Sequence, residues 1–364
     1  MAKINLSHKL KVSGNDLTDL AEMRISLFWM ISSVLLVSGL TWALTSVMMR
    51  LVLHSNHTLF SYMDNQSTFS SGNRFFIIVI FSFACIRAIL YQFPWFKDAC
   101  GDGASKALAY FQLTYDQQNT DEEIFKQTYE AGTFSVALKR VLVTVMTLGA
   151  GGSGGLEGPA IPVGETIGSG IAKVFKVRDL VWLRILQMCG ISAAVTTLLH
   201  APLTGAIFAL ELVFGCKFVY RLLTYSLFSS LLAFILSNHL LDAQALFTIP
   251  AHALRYTPSE YLLVIVVTVF ASIPSGIGLL VIFHYIKRFF SCLPSLLHAP
   301  LGALLCALTA IYVWHAFDIH PEHILGVGEE TIVGLFKPDL HAHGQGALHG
   351  WHILFSDCID SSFF

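Results

Sequence analysis

Gly149-Ala-Gly-Gly-Ser-Gly-Gly-Leu-Glu-Gly-Pro-Ala-Ile-Pro-Val-Gly-Glu-Thr-Ile-Gly168 is the stretch on which the fold turns. Its glycines at 149, 151 and 154 fit a dinucleotide-binding fingerprint, but that pattern has meaning only after a strand and inside a βαβ unit. Here it lies between apolar runs of membrane length, so the nucleotide reading is set aside. Pro159 suits the first position of a helix, where its missing N–H is no loss. The glycines before it let backbone approach a ligand closely. The N–H groups of Leu156, Glu157 and Gly158 then fall at a helix N-terminus, where the unpaired donors and the dipole favour an anion. A carboxylate at membrane depth is costly and marks function by default. Glu157 can therefore be a gate that occupies the anion site when ionised and leaves it when protonated, or a carboxylate that caps a structural turn. The residues alone leave both open.

Working outward, the 364 residues are 54% hydrophobic and 13% charged, with mean hydropathy +0.64. A soluble domain carries about 25% charged residues, so this composition predicts a multi-span bilayer protein. The net charge of -2 argues against a nucleic-acid partner, which needs a basic face. Apolar segments recur at 25–54, 74–96, 136–150, 159–175, 182–200, 202–215, 219–241, 260–290 and 296–317, with residues 55–72 read as a polar loop. Several are shorter than the roughly 20 residues of a straight span. Gly-rich breaks at such depth are tolerated only where they line a cavity inside the protein. Lys9, Lys11 and Arg24 precede the first run and residues 55–72 lack Lys and Arg, which predicts a cytoplasmic N-terminus. Thr114 to Glu130 reads as a solvated loop or surface helix. The seven cysteines form no CxxC pair and read as small buried hydrophobes. No metal ligand set, cofactor site or catalytic Ser/His or HExxH pairing emerges. His341, His343, His349 and His352 read as a polar loop, and Arg87, Arg184 and Glu165 as residues paired within the bundle.

Gly155-Leu-Glu-Gly-Pro159 resembles the G-(K/R)-E-G-P signature of the CLC chloride channels and chloride/proton antiporters, and Gly164 and Gly168 match the glycine spacing that follows it. Ala99-Cys-Gly-Asp-Gly-Ala-Ser105 falls where that family has a G-S-G-I-P turn. His200-Ala-Pro-Leu-Thr-Gly-Ala-Ile-Phe-Ala-Leu-Glu211 is similar to its N-A-P-(L/I)-x-G-x-x-F-x-x-E segment, and Gly326-Val-Gly-Glu-Glu330 to a stretch in its second repeat. The resemblance covers about residues 25–335. It implies an all-α multi-span membrane protein, a CLC-type inverted-repeat helical bundle with short broken helices. The implied function is transport of chloride or a similar monovalent anion, as a channel or proton-coupled antiporter and not as an enzyme. Glu157 would be the gate. Leu156, Glu157 and Gly158 would hold the outer anion, and Gly101, Asp102 and Gly103 would lie near a central one. Gly155, Pro159, Pro202 and Glu211 would be structural. Implied partners are the anion, protons, the lipid bilayer of the cell membrane and a second copy of the chain.

Departures from the pattern are informative. Asp102 stands where the family has a serine, and ionised it would repel chloride by several kcal/mol. The resemblance therefore requires it to be protonated, turned away, or in a different register. Leu212 replaces an inner proton-transfer glutamate, which favours channel behaviour or altered coupling. Leu156 replaces a basic residue, and Pro162 removes a hydrogen bond from a first helical turn. The chain also stops at Phe364 before the second repeat's G-x-F-x-P helix start and pore tyrosine. The expected organisation is a cytoplasmic segment at 1–19, a first repeat at 20–241, a linker at 242–257, an incomplete second repeat at 258–355 and a polar tail at 356–364. The alternative expectation is a truncated remnant that transports nothing.

Overall fold

The computed structural model describes residues 27–64, 69–99, 103–113, 134–177, 179–215, 219–241, 258–291, 293–317, 321 and 324–328. Among these residues every regular element is helical: α1 (Leu27–Asp64), α2 (Phe69–Leu90), a 3-10 turn (Pro94–Ala99), α3 (Ala104–Leu113), α4 (Phe134–Leu148), α5 (Glu157–Val174), α6 (Leu180–Leu199), α7 (Pro202–Phe214), α8 (Tyr220–Leu241), α9 (Pro258–Val267), a π turn (Thr268–Ser272), α10 (Ile273–Ser291) and α11 (Ser295–Phe317). Five helical stretches are long and apolar enough to cross a membrane: Trp29–Tyr62, Leu180–Leu199, Tyr220–Leu241, Tyr261–Ser291 and Leu296–Ala316. Helices satisfy every backbone polar group within themselves, which a bilayer demands.

Two corrections to the sequence reading stand out. Residues 55–64 are not a loop but the end of α1. Nothing in His-Ser-Asn-His-Thr-Leu-Phe-Ser-Tyr-Met-Asp breaks a helix, and Leu59 and Phe60 are buried, so packing carries the helix past its polar residues. Pro162 sits not in the first turn of its helix but in the second, as the sixth residue of α5. There it lacks the N–H that would have bonded the Gly158 carbonyl.

The described residues form two compact units. The first holds α1 up to Met49, α3, α4 up to Val141, and α5 to α8. Helix α6 is at its centre, 83% buried over its apolar window. Asp179 caps its start, accepting from Val181 N at 2.9 Å. It ends at His200 in the left-handed region (φ 53), and Ala201 is extended before Pro202, the first residue of α7. Helices α5 and α6 meet backbone to backbone. A Cβ on Gly164 would run into the Gly190 carbonyl, and one on Gly168 into the Leu186 carbonyl. Small residues at such a crossing are how membrane helices come together without a hydrophobic driving force. Helix α8 adds a stripe of small residues, with Ser226, Ser229, Ser230, Ala233 and Ser237 all buried. Ser229 Oγ donates to the Cys189 carbonyl (2.7 Å) and lies 2.7 Å from Ser38 Oγ of α1. Trp42 Nε1 donates to Ser237 Oγ (3.0 Å).

The second unit holds α1 from Arg50, α2, α4 from Leu142, residues 149–155, α9 to α11 and residues 324–328. Leu59, Phe60, Phe76, Ile80, Ala307, Ala310 and Leu325 make its core. The glycine-rich segment 149–155 rests on that core. Gly151 (φ 91) lies against Ile80, Leu59 and Phe76, and Gly154 N donates to the Gly326 carbonyl (3.2 Å). With its amide turned to suit its neighbours, Asn56 donates to the carbonyls of Leu148 (2.7 Å) and Gly149 (3.2 Å). The tie between Gly154 and Gly326 joins two of the motifs read from the sequence.

Candidate functional site

The site lies at the N-terminal end of α5. The helix begins at Glu157, with Leu156 as its N-cap residue (φ -79, ψ -16) and no side-chain cap. Its first bond runs from Ala160 N to the Leu156 carbonyl (3.1 Å). Among the described residues no partner takes the N–H groups of Leu156, Glu157 and Gly158, the orphan donors of a helix start. Leu156 is buried, and Glu157, Gly158 and Pro159 are half-buried. The Glu157 carboxylate likewise has no hydrogen-bond or ion-pair partner among the described residues. A carboxylate that capped the helix would be bonded back to one of these amides; this one is not.

The second element of the site is the turn before α3. Gly101 and Asp102 lie outside the described residues. Gly103 is buried with φ 78, and its carbonyl accepts the first bond of α3 from Ala107 N (2.9 Å). A Cβ at Gly103 would strike Nη1 of Arg140 and would sit 2.8 Å from Cγ of Pro162. The turn and the second turn of α5 are therefore in contact, and only glycine fits there. Arg140 on α4, itself buried, also donates from Nη2 to the Asp98 carbonyl (3.2 Å). The sequence reading did not single out Arg140. Its one signal was a second consecutive basic residue, after Lys139, in an apolar helix.

The residues read as structural are distributed as follows. Gly155 is exposed. Pro159 is the third residue of α5 and not its first, because the helix already starts at Glu157, whereas Pro202 stands at the start of α7. Gly205, in the same motif as Pro202, lets α7 lie against Thr196 of α6, where a Cβ would meet Oγ1. Glu211 is exposed in the last turn of α7, where its carbonyl accepts from Gly215 N (2.8 Å). Leu212 is half-buried. Arg87 donates from Nη1 to Thr147 Oγ1 (3.3 Å) and stacks over Tyr91 (5.3 Å), a pairing within the bundle. Glu165 is buried on α5 and accepts from Ser169 and Gln187. The stretch Thr114–Glu130, Glu329, Glu330 and the histidines from 341 to 352 lie outside the described residues.

Known proteins resemble the chain in sequence and in fold. The profile of the voltage-gated chloride channel family matches residues 82–358, roughly three-quarters of the chain. A ClcB-like chloride channel protein of Ralstonia nicotianae is 26% identical over 132 residues, 34% of this chain and 31% of that protein, so the matched stretch spans about a third of that relative's length. Among solved structures, a slow cyanobacterial Cl-/H+ antiporter superposes with TM-score 0.66 at 18% identity, over 85% of this chain and 68% of that one. A CLC-type fluoride/proton antiporter gives TM-score 0.62 at 18% identity, over 90% and 72%. A eukaryotic CLC transporter gives TM-score 0.63 at 14% identity, over 85% and 52%. The all-helical architecture, the multi-span composition and the family match together lead to one conclusion: the chain is a multi-pass membrane protein and belongs to the voltage-gated chloride channel (CLC) family.

Proposed function

We propose that this protein carries chloride or a similar monovalent anion across the cell membrane, as a channel or in exchange for protons, with Glu157 as the gate. The observation that carries the reading is the start of α5. Among the described residues, three backbone N–H groups without partners sit beside a carboxylate that is itself unbonded. Such an end attracts an anion without needing a lysine. The N–H groups of Leu156, Glu157 and Gly158 hold the outer anion, and the turn Gly101–Asp102–Gly103 lies near a central one. Gly155, Pro159, Pro202 and Glu211 shape these helix ends and do not touch the anion. Residues 20–241 and 258–355 act as two related repeats, the chain pairs with a second copy, and the N-terminus faces the cytoplasm.

The test is flux from proteoliposomes containing the purified chain, with chloride and external pH recorded together. Selective chloride movement above that of empty liposomes supports the reading. Simultaneous proton movement against the chloride gradient assigns exchange, and its absence assigns a channel. No chloride or other halide flux over empty liposomes overturns the proposal.

A further inference from the structure

Two turns into α5, well beyond the anion site, Glu165 lies 1% exposed between α5 and α6. Its Oε1 accepts twice, from Ser169 Oγ (2.8 Å) and from Gln187 Nε2 (2.9 Å). The same Nε2 donates its other hydrogen to Ser169 Oγ (2.9 Å). Every donor in this buried triad is thereby spent. Two acceptors remain with nothing to accept, Glu165 Oε2 and Gln187 Oε1. A buried polar atom left unpaired is destabilising, the more so when it is charged. An ionised carboxylate is acceptor-only, whereas a carboxylic acid owns an O–H. One proton on Oε2 supplies the missing donor, and donated to Gln187 Oε1 it satisfies both orphans at once.

The surroundings bear on the charge. On α6 the titratable and charged groups are Arg184 and Cys189, and on α4 they are Lys139 and Arg140. Helix α3 offers none among the described side chains, and α5 itself carries Glu157 and Lys173. Of these, Arg140 is the charge that acts on Glu165, and its guanidinium is engaged at Gly103 and the Asp98 carbonyl. No basic side chain among the described residues supplies a hydrogen bond to Oε2.

We propose that Glu165 and Gln187 form a proton-binding site inside the membrane, with the proton carried on Glu165 Oε2 and shared with Gln187 Oε1. The site is on the same helix as Glu157, eight residues or about 12 Å further along its axis, and in an exchanger it holds a proton in transit. Its role in transport rests on the proton-coupled reading above; its occupancy by a proton does not.

The experiment separates the two. Infrared spectra of the full chain in lipid at neutral pH are expected to contain a protonated-carboxyl C=O band. That band is lost in Glu165→Gln and moved in Gln187→Leu, where the acid loses its acceptor. Isotope labelling of glutamate identifies it without any variant. A parent spectrum with no such band, or one unchanged by Glu165→Gln, overturns the site. In the flux assay Glu165→Gln is expected to keep chloride movement and lose most proton movement. Proton movement equal to the parent's overturns the transit role. A parent that moves chloride but no protons overturns the exchange reading instead, and the infrared band still decides whether Glu165 binds a proton.

Discussion

Glu157 owes its properties to its position as the first residue of α5. In the proposed gate it competes, when ionised, with an anion for the donors at its own helix end, and when protonated it loses most of that attraction. Glu157→Gln fixes the neutral form. In chloride-flux measurements over an acid-to-neutral pH series, the variant is expected to conduct at every pH, with its pH response reduced at least about tenfold, the factor that ~1.4 kcal/mol of differential binding confers. Glu157→Ala is expected to leave the outer position open to an anion, and Glu211→Gln to retain the parent's pH response. A parental pH response in Glu157→Gln would remove the gate assignment. That Glu157 lies at a helix start was readable from Pro159 and the glycines around it, because breakers fix helix ends locally, but the helix begins at Glu157 and not at Pro159. Arg140 beside Gly103 was not, since 37 positions separate the two residues and no motif links them. The Glu165–Gln187 contact was hidden for the same reason: both are polar residues in apolar helices, and only the packing of α5 on α6 shows that each is the other's partner.

Among the elements, α5 and α6 make the closest contact. Gly164 and Gly190 each occupy the space a Cβ would need on the other. Gly164→Ala is expected to destabilise the protein by about 1–3 kcal/mol, the cost of overpacking a filled contact, visible as a lower melting temperature in detergent. Gly276→Ala on α10 is the control, because nothing lies within 4 Å of its Cβ position, and it is expected to change the melting temperature little. The four-residue spacing of Gly164 and Gly168 was visible in the sequence as a helix-packing signal; that Gly190 is what it packs on was not. Helix boundaries from α5 to α8 follow the apolar segments closely, because Gly149–Gly155, His200–Pro202 and Gly215 punctuate them. The extension of α1 to Asp64 was missed because hydropathy falls there while burial of Leu59 and Phe60 does not.

For the whole molecule, composition alone sufficed for the class, since so few charges cannot cover a soluble surface. Membrane residence makes its sharpest claim at Tyr261–Ser291, 31 residues whose most apolar part is not buried against any of the described residues. An apolar helix with no buried face belongs in lipid or against another membrane protein. Ile277→Arg, near its centre, is expected to cost about 2.5–3.5 kcal/mol of insertion and to deplete the protein from the membrane fraction, whereas Ile277→Leu is not. The glycine seam between α5 and α6 has a kinetic corollary. Two backbones in direct contact leave no compressible layer of side chains, so α5 cannot tilt or rotate without carrying α6 with it. In the proposed gate, opening at Glu157 is then a rotamer change on a stationary post, a picosecond-to-nanosecond event in itself.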